Sequence, residues 1–115
     1  MTVHNLTADS NQANGLHIAT IPAGGTNPVL TGLTLTNNGT GLRVSGLTGA
    51  SLAAPWVLDG ILSVAGSATG LDLVNVRNTT VRDLDLSGAA DYGINANAAT
   101  NNGIVVDGVD VSGTG

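Results

Sequence analysis

The sequence predicts an all-β fold, a parallel β-helix solenoid of about four to five coils. Three observations predict it. A four-residue phrase opened by glycine returns at intervals of 26, 29 and 23 residues. A second apolar phrase lies between its copies, and the two interleave strictly. The composition agrees: Glu, Lys, Cys and Phe are absent from the 115 residues, whereas Gly occurs 17 times. Glu and Lys are among the commonest surface residues of helices, so their absence argues against substantial helix. Gly with frequent Asn, Thr and Ser supplies turns between short extended segments.

In chain order the strand phrases begin with a weak copy, Val3-His4-Asn5-Leu6-Thr7-Ala8. Gly15-Leu16-His17-Ile18 follows, then Leu30-Thr31-Gly32-Leu33-Thr34-Leu35 and Gly41-Leu42-Arg43-Val44. Leu58-Asp59-Gly60 opens the next copy, and Ile61-Leu62-Ser63-Val64 carries one extra residue. Gly70-Leu71-Asp72-Leu73, Val81-Arg82-Asp83-Leu84-Asp85-Leu86, Gly93-Ile94-Asn95-Ala96 and Val106-Asp107-Gly108-Val109-Asp110-Val111 complete the series. Alternation at period two marks each phrase as one strand with one buried face. Each unit of about 25 residues therefore reads as two short strands and two turns. Asn14-Gly15, Ala23-Gly24-Gly25, Asn37-Asn38-Gly39, Gly66-Ser67, Ser87-Gly88 and Asn101-Asn102-Gly103 carry turn chemistry between them. A five-residue strand cannot bury its face alone, so equivalent strands must stack around one narrow core. A β-sandwich also uses short strands, but does not require the same phrase to return. It would also draw on more aromatic residues than Trp56 and Tyr92.

Residues 1–115 read as a single β-solenoid domain, uncapped at both ends. The net charge is −5, and the three bases, Arg43, Arg77 and Arg82, form no basic stripe for nucleic acid. Without Cys there is no disulfide framework, thiolate metal site or cysteine nucleophile, and without Lys no Schiff base or phosphate clamp. The most apolar stretch, Leu52 to Val64, is too short to span a membrane and is interrupted by Pro55, Asp59 and Gly60. No signal peptide is visible at the start.

The Gly-Leu-x-Ile/Val phrase, the Val-x-Asp/Gly-Leu-x-Leu-Ser/Thr phrase and the irregular coil lengths resemble the right-handed parallel β-helix family, the pectate-lyase-like fold. The resemblance covers the chain from about Val3 to Val111. It implies a right-handed solenoid and a choice among polysaccharide lyases, hydrolases and epimerases, phage tailspikes, and adhesin or surface-layer stalks. Fold alone does not choose among these.

If the leucines face inward, the residues between them form outward rows about 4.8 Å apart. The first row is His17, Arg43, Asp72 and Asn95; the second is Thr31, Asp59, Arg82 and Asp107; the third is Thr34, Ser63, Asp85 and Asp110. Asp59–Arg82–Asp107 alternates in sign, as does Arg43–Asp72. Such rows serve either as register-fixing salt-bridge ladders or as a weak saccharide groove. Asp85 and Asp110, stacked without a base between them, could hold Ca²⁺ or share a proton. No Lys backs them, and neither His4 nor His17 falls on their row, so no catalytic constellation and no cofactor is expected. His17 beside Arg43 is the nearest thing to a general base with an electrostatic partner. Trp56, at the end of the long segment Leu47 to Trp56, reads as a sugar-stacking platform or, with its apolar neighbours, a core plug or subunit contact. Tyr92 reads as a contact residue near the C-terminal end. Asn-x-Ser/Thr sequons occur at Asn5, Asn38 and Asn78.

The ends carry the functional expectation. The repeat starts at Val3 and runs to Val111, so both edges of the stack are expected to lie open. The partner this implies is a second copy of the chain, whose N-terminal half-coil would complete the unfinished C-terminal coil. Head-to-tail contact of this kind builds open filaments. The lead expectation is a structural, extracellular or cell-surface solenoid for a fibre, sheath or adhesin stalk. A carbohydrate-binding or polysaccharide-modifying β-helix and an excised solenoid fragment are the alternatives.

Overall fold

The computed structural model describes residues 2–21, 27–48 and 55–113. Among them there is no helix, and every strand pairing is parallel. The chain is a β-solenoid of about four turns. Ala23-Gly24-Gly25 and Leu52 to Ala54 lie outside the described residues.

Each full turn contains three strands, not two. The longest sheet runs β3 (Asn14–Ile21), β6 (Thr40–Leu47), β9 (Thr69–Val74) and β11 (Tyr92–Asn95). The second face is built from β1 (Thr2–His4) with β4 (Val29–Thr31), and from β7 (Trp56–Leu58), β10 (Arg77–Arg82) and β12 (Asn102–Asp107). The third contains β2 (Thr7–Asp9), β5 (Leu33–Thr36) and β8 (Ile61–Ser63), and an Asp85–Asp110 bridge extends the pairing beyond it.

The phrase expected to form one strand is broken at its third residue. Asn5, Gly32, Gly60, Asp83 and Gly108 all have positive φ, between 51° and 85°, and they form a corner repeated in five coils. A left-handed residue costs an ordinary side chain roughly 1–2 kcal/mol, which Gly, Asn and Asp largely avoid. Ser10, Asn37, Gly66, Gly88 and Gly113 make a second such corner. The apolar spacing carries the signal. Leu30, Leu33 and Leu35 are separated by three residues and then two, as are Val81, Leu84 and Leu86. The step of three is the corner.

The extra residue in the middle coil is accommodated as a bulge. Leu33 pairs with Ile61 and Thr34 with Ser63, so Leu62 is displaced and 60% exposed.

Six inward rows fill the core, as Leu30, Leu33, Leu35, Leu42, Val44 and Leu47 show in one coil. Leu16, Leu42, Leu71 and Ile94 form one, in register along the longest sheet. Side chains in the middle coils are fully buried, among them Leu33, Leu58, Val64, Leu73 and Val81. Burial fades towards both ends. Val3, Leu6, Ala8 and Leu16 are only partly covered at one end, while Val106 is 53% and Val111 44% exposed at the other.

The first coil contributes a strand to all three faces: β1, β2 and β3. It is therefore not the half-coil that the sequence suggested. Among the described residues, β11, β12 and the Asp110 bridge are the last pairings on the three faces.

Candidate functional site

His17, Arg43, Asp72 and Asn95 lie in one row across β3, β6, β9 and β11. They do not act as a single group. Arg43 Nη1 lies 3.0 Å from Asp72 Oδ2, and Asn95 Nδ2 donates to Asp72 Oδ1 at 3.1 Å. Asp72, expected to project outward into solvent, is covered by these two neighbours and is only 9% exposed. His17 does not pair with Arg43. Its Nε2 shares a 3.0 Å hydrogen bond with Ser45 Oγ on the same sheet face. A serine–imidazole contact of this length is what a nucleophile and base require. Among the described residues no carboxylate makes a hydrogen bond or ion pair with the imidazole. The row binds mainly to itself.

The second row is looser. Arg82 is in register with Asp107, but its ion pairs among the described residues are with Asp59 at 3.8 Å and Asp83 at 3.9 Å. All these side chains are substantially exposed, which makes each contact worth little.

Asp85 and Asp110 stand opposite one another in the third row. Each carboxylate is turned back onto its own chain. Asp85 Oδ1 accepts from Ser87 N at 3.0 Å and from the Ser87 hydroxyl, while Asp110 Oδ1 accepts from Ser112 N at 2.9 Å. The bonds from Ser112 hold the Asp110 carboxyl below its ordinary value. Among the described residues no group of three or more metal-ligating side chains forms.

Trp56 is the first residue of β7 and packs, partly buried, against the core beside Thr79. Tyr92 is 59% exposed at the far end of the longest sheet. With Asp91, Gly93, Ile94, Val106, Val109 and Val111 it lines an open concavity of about 400 Å³. Ile94, Val106, Val109 and Val111 give this hollow an apolar floor.

Three well-bonded amides are ones that the sequence marked as turns, Asn38 and Asn101, or did not single out, Asn27. Asn38 is 4% exposed; its Oδ1 accepts from Asn11 N and Nδ2, and its Nδ2 donates to Ala8 O at 3.0 Å. Asn27 Oδ1 accepts from Val57 N at 2.8 Å while its Nδ2 donates to Val57 O at 3.3 Å, imitating a neighbouring strand. Asn101 does the same between Val76 N and Leu73 O, at 2.8 Å each. The buried, fully engaged Asn38 amide also removes one of the three sequons from the accessible surface of the folded chain. The clue in the sequence was an Asn placed shortly before several strand phrases, as Asn27 is before Leu30 and Asn101 before Val106.

No family model, curated protein or solved structure matches the chain.

Proposed function

We propose that the protein is a structural solenoid block that stacks end to end with copies of itself, outside the cell or on its surface, as part of a fibre, sheath or stalk. One observation carries this reading: the apolar rows that are buried in the middle coils emerge at both ends. Val106, Val109 and Val111 at one end belong to the same rows as Val3, Leu6 and Ala8 at the other. Exposed edge strands of this kind are templates for further pairing. The chain also has no Lys, a common edge guard, with which to discourage it. Membership of the right-handed, pectate-lyase-like group belongs to the same proposal.

Polysaccharide binding or modification along the His17–Asn95 face is the competing reading. The groups on that face are largely occupied by one another, which favours a register-holding role. Sedimentation velocity across a concentration series, with electron microscopy, tests the lead reading. Concentration-dependent growth into linear stacks is the expected result, and a monomer at all concentrations overturns it. Release of unsaturated or shortened products from uronate polymers, with or without Ca²⁺, would support the competitor.

A further inference from the structure

The geometry points to one register for the contact between copies, an inference that rests on the stacking reading above. A second copy of this chain docks its first coil on the last coil of its neighbour with Val3 against Val106, Leu6 against Val109 and Ala8 against Val111. His4 then faces Asp107, Asn5 faces Gly108 and Thr7 faces Asp110.

The two corners fix this offset independently of the side chains. The left-handed residues of the first coil, Asn5 and Ser10, are five positions apart, as are Gly108 and Gly113 in the last. Gly32 and Asn37, and Asp83 and Gly88, keep the same interval, whereas Gly60 and Gly66 are six apart because of the Leu62 bulge. One offset therefore superposes both corners of the two terminal coils with no bulge. A slip by one residue would turn every apolar side chain outward.

The corner residues also fit sterically. Within the chain an amide or acid sits beside a glycine of the following coil. Asn5 Oδ1 lies 2.5 Å from where a Cβ on Gly32 would be, and Asp83 Oδ1 lies 3.0 Å from that of Gly108. Gly60 followed by Asp83 gives the reverse order, glycine first, and Gly108 followed by Asn5 repeats it.

Charge agrees with shape. The row Asp59–Arg82–Asp107 would continue into His4, whose ring N–H donates to a carboxylate whether or not the ring is charged. Asp110, which faces Asp85 within its own chain, would face the Thr7 hydroxyl across the joint. No carboxylate meets another at these positions. The joint engages two of the three faces. On the third, β3 of the incoming copy lies one strand's width beyond β11, and the concavity beside Tyr92 and Ile94 is the space between them.

Because the chain contains no Cys, introduced pairs report the register cleanly. Paired parallel neighbours lie about 4.8 Å apart, within disulfide reach, while positions 4 and 107 of one copy are separated by about four strand spacings. Under mild oxidation, His4→Cys with Asp107→Cys, and separately Thr7→Cys with Asp110→Cys, should each give ladders of covalent oligomers. The crossed pair His4→Cys with Asp110→Cys, which lies round the Gly108 corner on another face, should not. Stacks that form while only the crossed pair, or no pair, cross-links overturn the register and leave the stacking reading standing. Monomers in every variant and in the unmodified protein, each with an unchanged β-sheet circular dichroism spectrum, overturn both. An independent arm uses His4→Asp, which sets two carboxylates opposite each other. At low salt it should raise the concentration needed for stacking about tenfold, and no change counts against the register.

Discussion

Ser67 stacks on Asn38 at the same corner of successive coils and bridges two buried backbone groups. Asn38 N donates to Ser67 Oγ at 3.1 Å, and the Ser67 hydroxyl donates in turn to Leu35 O at 3.0 Å. Neither residue is exposed to any useful extent, so water cannot replace either bond. Ser67→Ala should leave a donor and an acceptor unpaired and cost about 1–3 kcal/mol. Thermal melts by circular dichroism should show a fall of roughly 5–15 °C. A change of a degree or less would mean that the corner relaxes without the hydroxyl.

The two arginine contacts should differ in worth. Arg43 meets an Asp72 side chain that is 12% exposed, whereas Arg82 reaches Asp59 at 3.8 Å with both side chains at 40% exposure or more. Arg43→Ala removes a partner from a largely covered carboxylate and should cost about 1–2 kcal/mol. Arg82→Ala should cost less than about 0.5 kcal/mol. Urea midpoints of the two variants give the comparison directly, and equal losses would contradict it.

Acid should expose the Asp9 contacts. Its carboxylate accepts from Thr36 Oγ1 at 2.8 Å, from Asn37 Nδ2 at 2.9 Å and from Ser10 Oγ at 3.0 Å. These bonds hold its pKa below the ordinary 3.8, the Thr36 hydroxyl contributing most. A carboxyl depressed in the folded state adds stability that is fully present above its unfolded pKa. That stability is lost as pH falls through the lower folded value. Asp9→Asn should therefore flatten part of the loss in stability below pH 4, seen as a smaller change in urea midpoint between pH 5 and pH 2.5. Parallel curves for the two proteins would show that the three bonds do not favour the ionised form.

Deleting Leu62 should be tolerated. The residue is the bulge, 60% exposed, and removing it restores the five-residue interval between left-handed corners found in the other coils. The shortened chain should keep its β-sheet spectrum and melt within about 5 °C of the original, because an exposed side chain contributes little burial. Deleting the neighbouring Ile61, which is 2% exposed, gives a chain that differs only in carrying Leu for Ile at that buried position, and should behave alike. A sharp loss on deleting Leu62 would mean that the bulge supports the adjacent corner.

Much of this architecture was legible. The spacing of the glycine phrases placed His17, Arg43, Asp72 and Asn95 in one row, because stacked coils must repeat their strands at the same height. The extra residue near Leu62 could be read from the same alignment. The corner at Gly32 was present in the sequence as a three-residue step between Leu30 and Leu33, but period-two reading averages over one irregular step. The alternation of sign put Arg43 beside Asp72 and Arg82 beside Asp59, but the other partners within the rows were not legible. His17 turns to Ser45 rather than Arg43, and Asp72 is covered rather than displayed, because side-chain direction depends on neighbours 23 to 29 residues away in the chain.

By itself the sequence determined that this is a stack of short parallel strands. Recurring apolar phrases too short to bury themselves leave stacking as the way to remove them from water. It also determined where the coils begin. The tertiary structure decided that each coil has three faces and that Asn27, Asn38 and Asn101 bond to strand backbones. Those features arise from contacts between coils, where a backbone group finds its partner across the stack instead of along the chain.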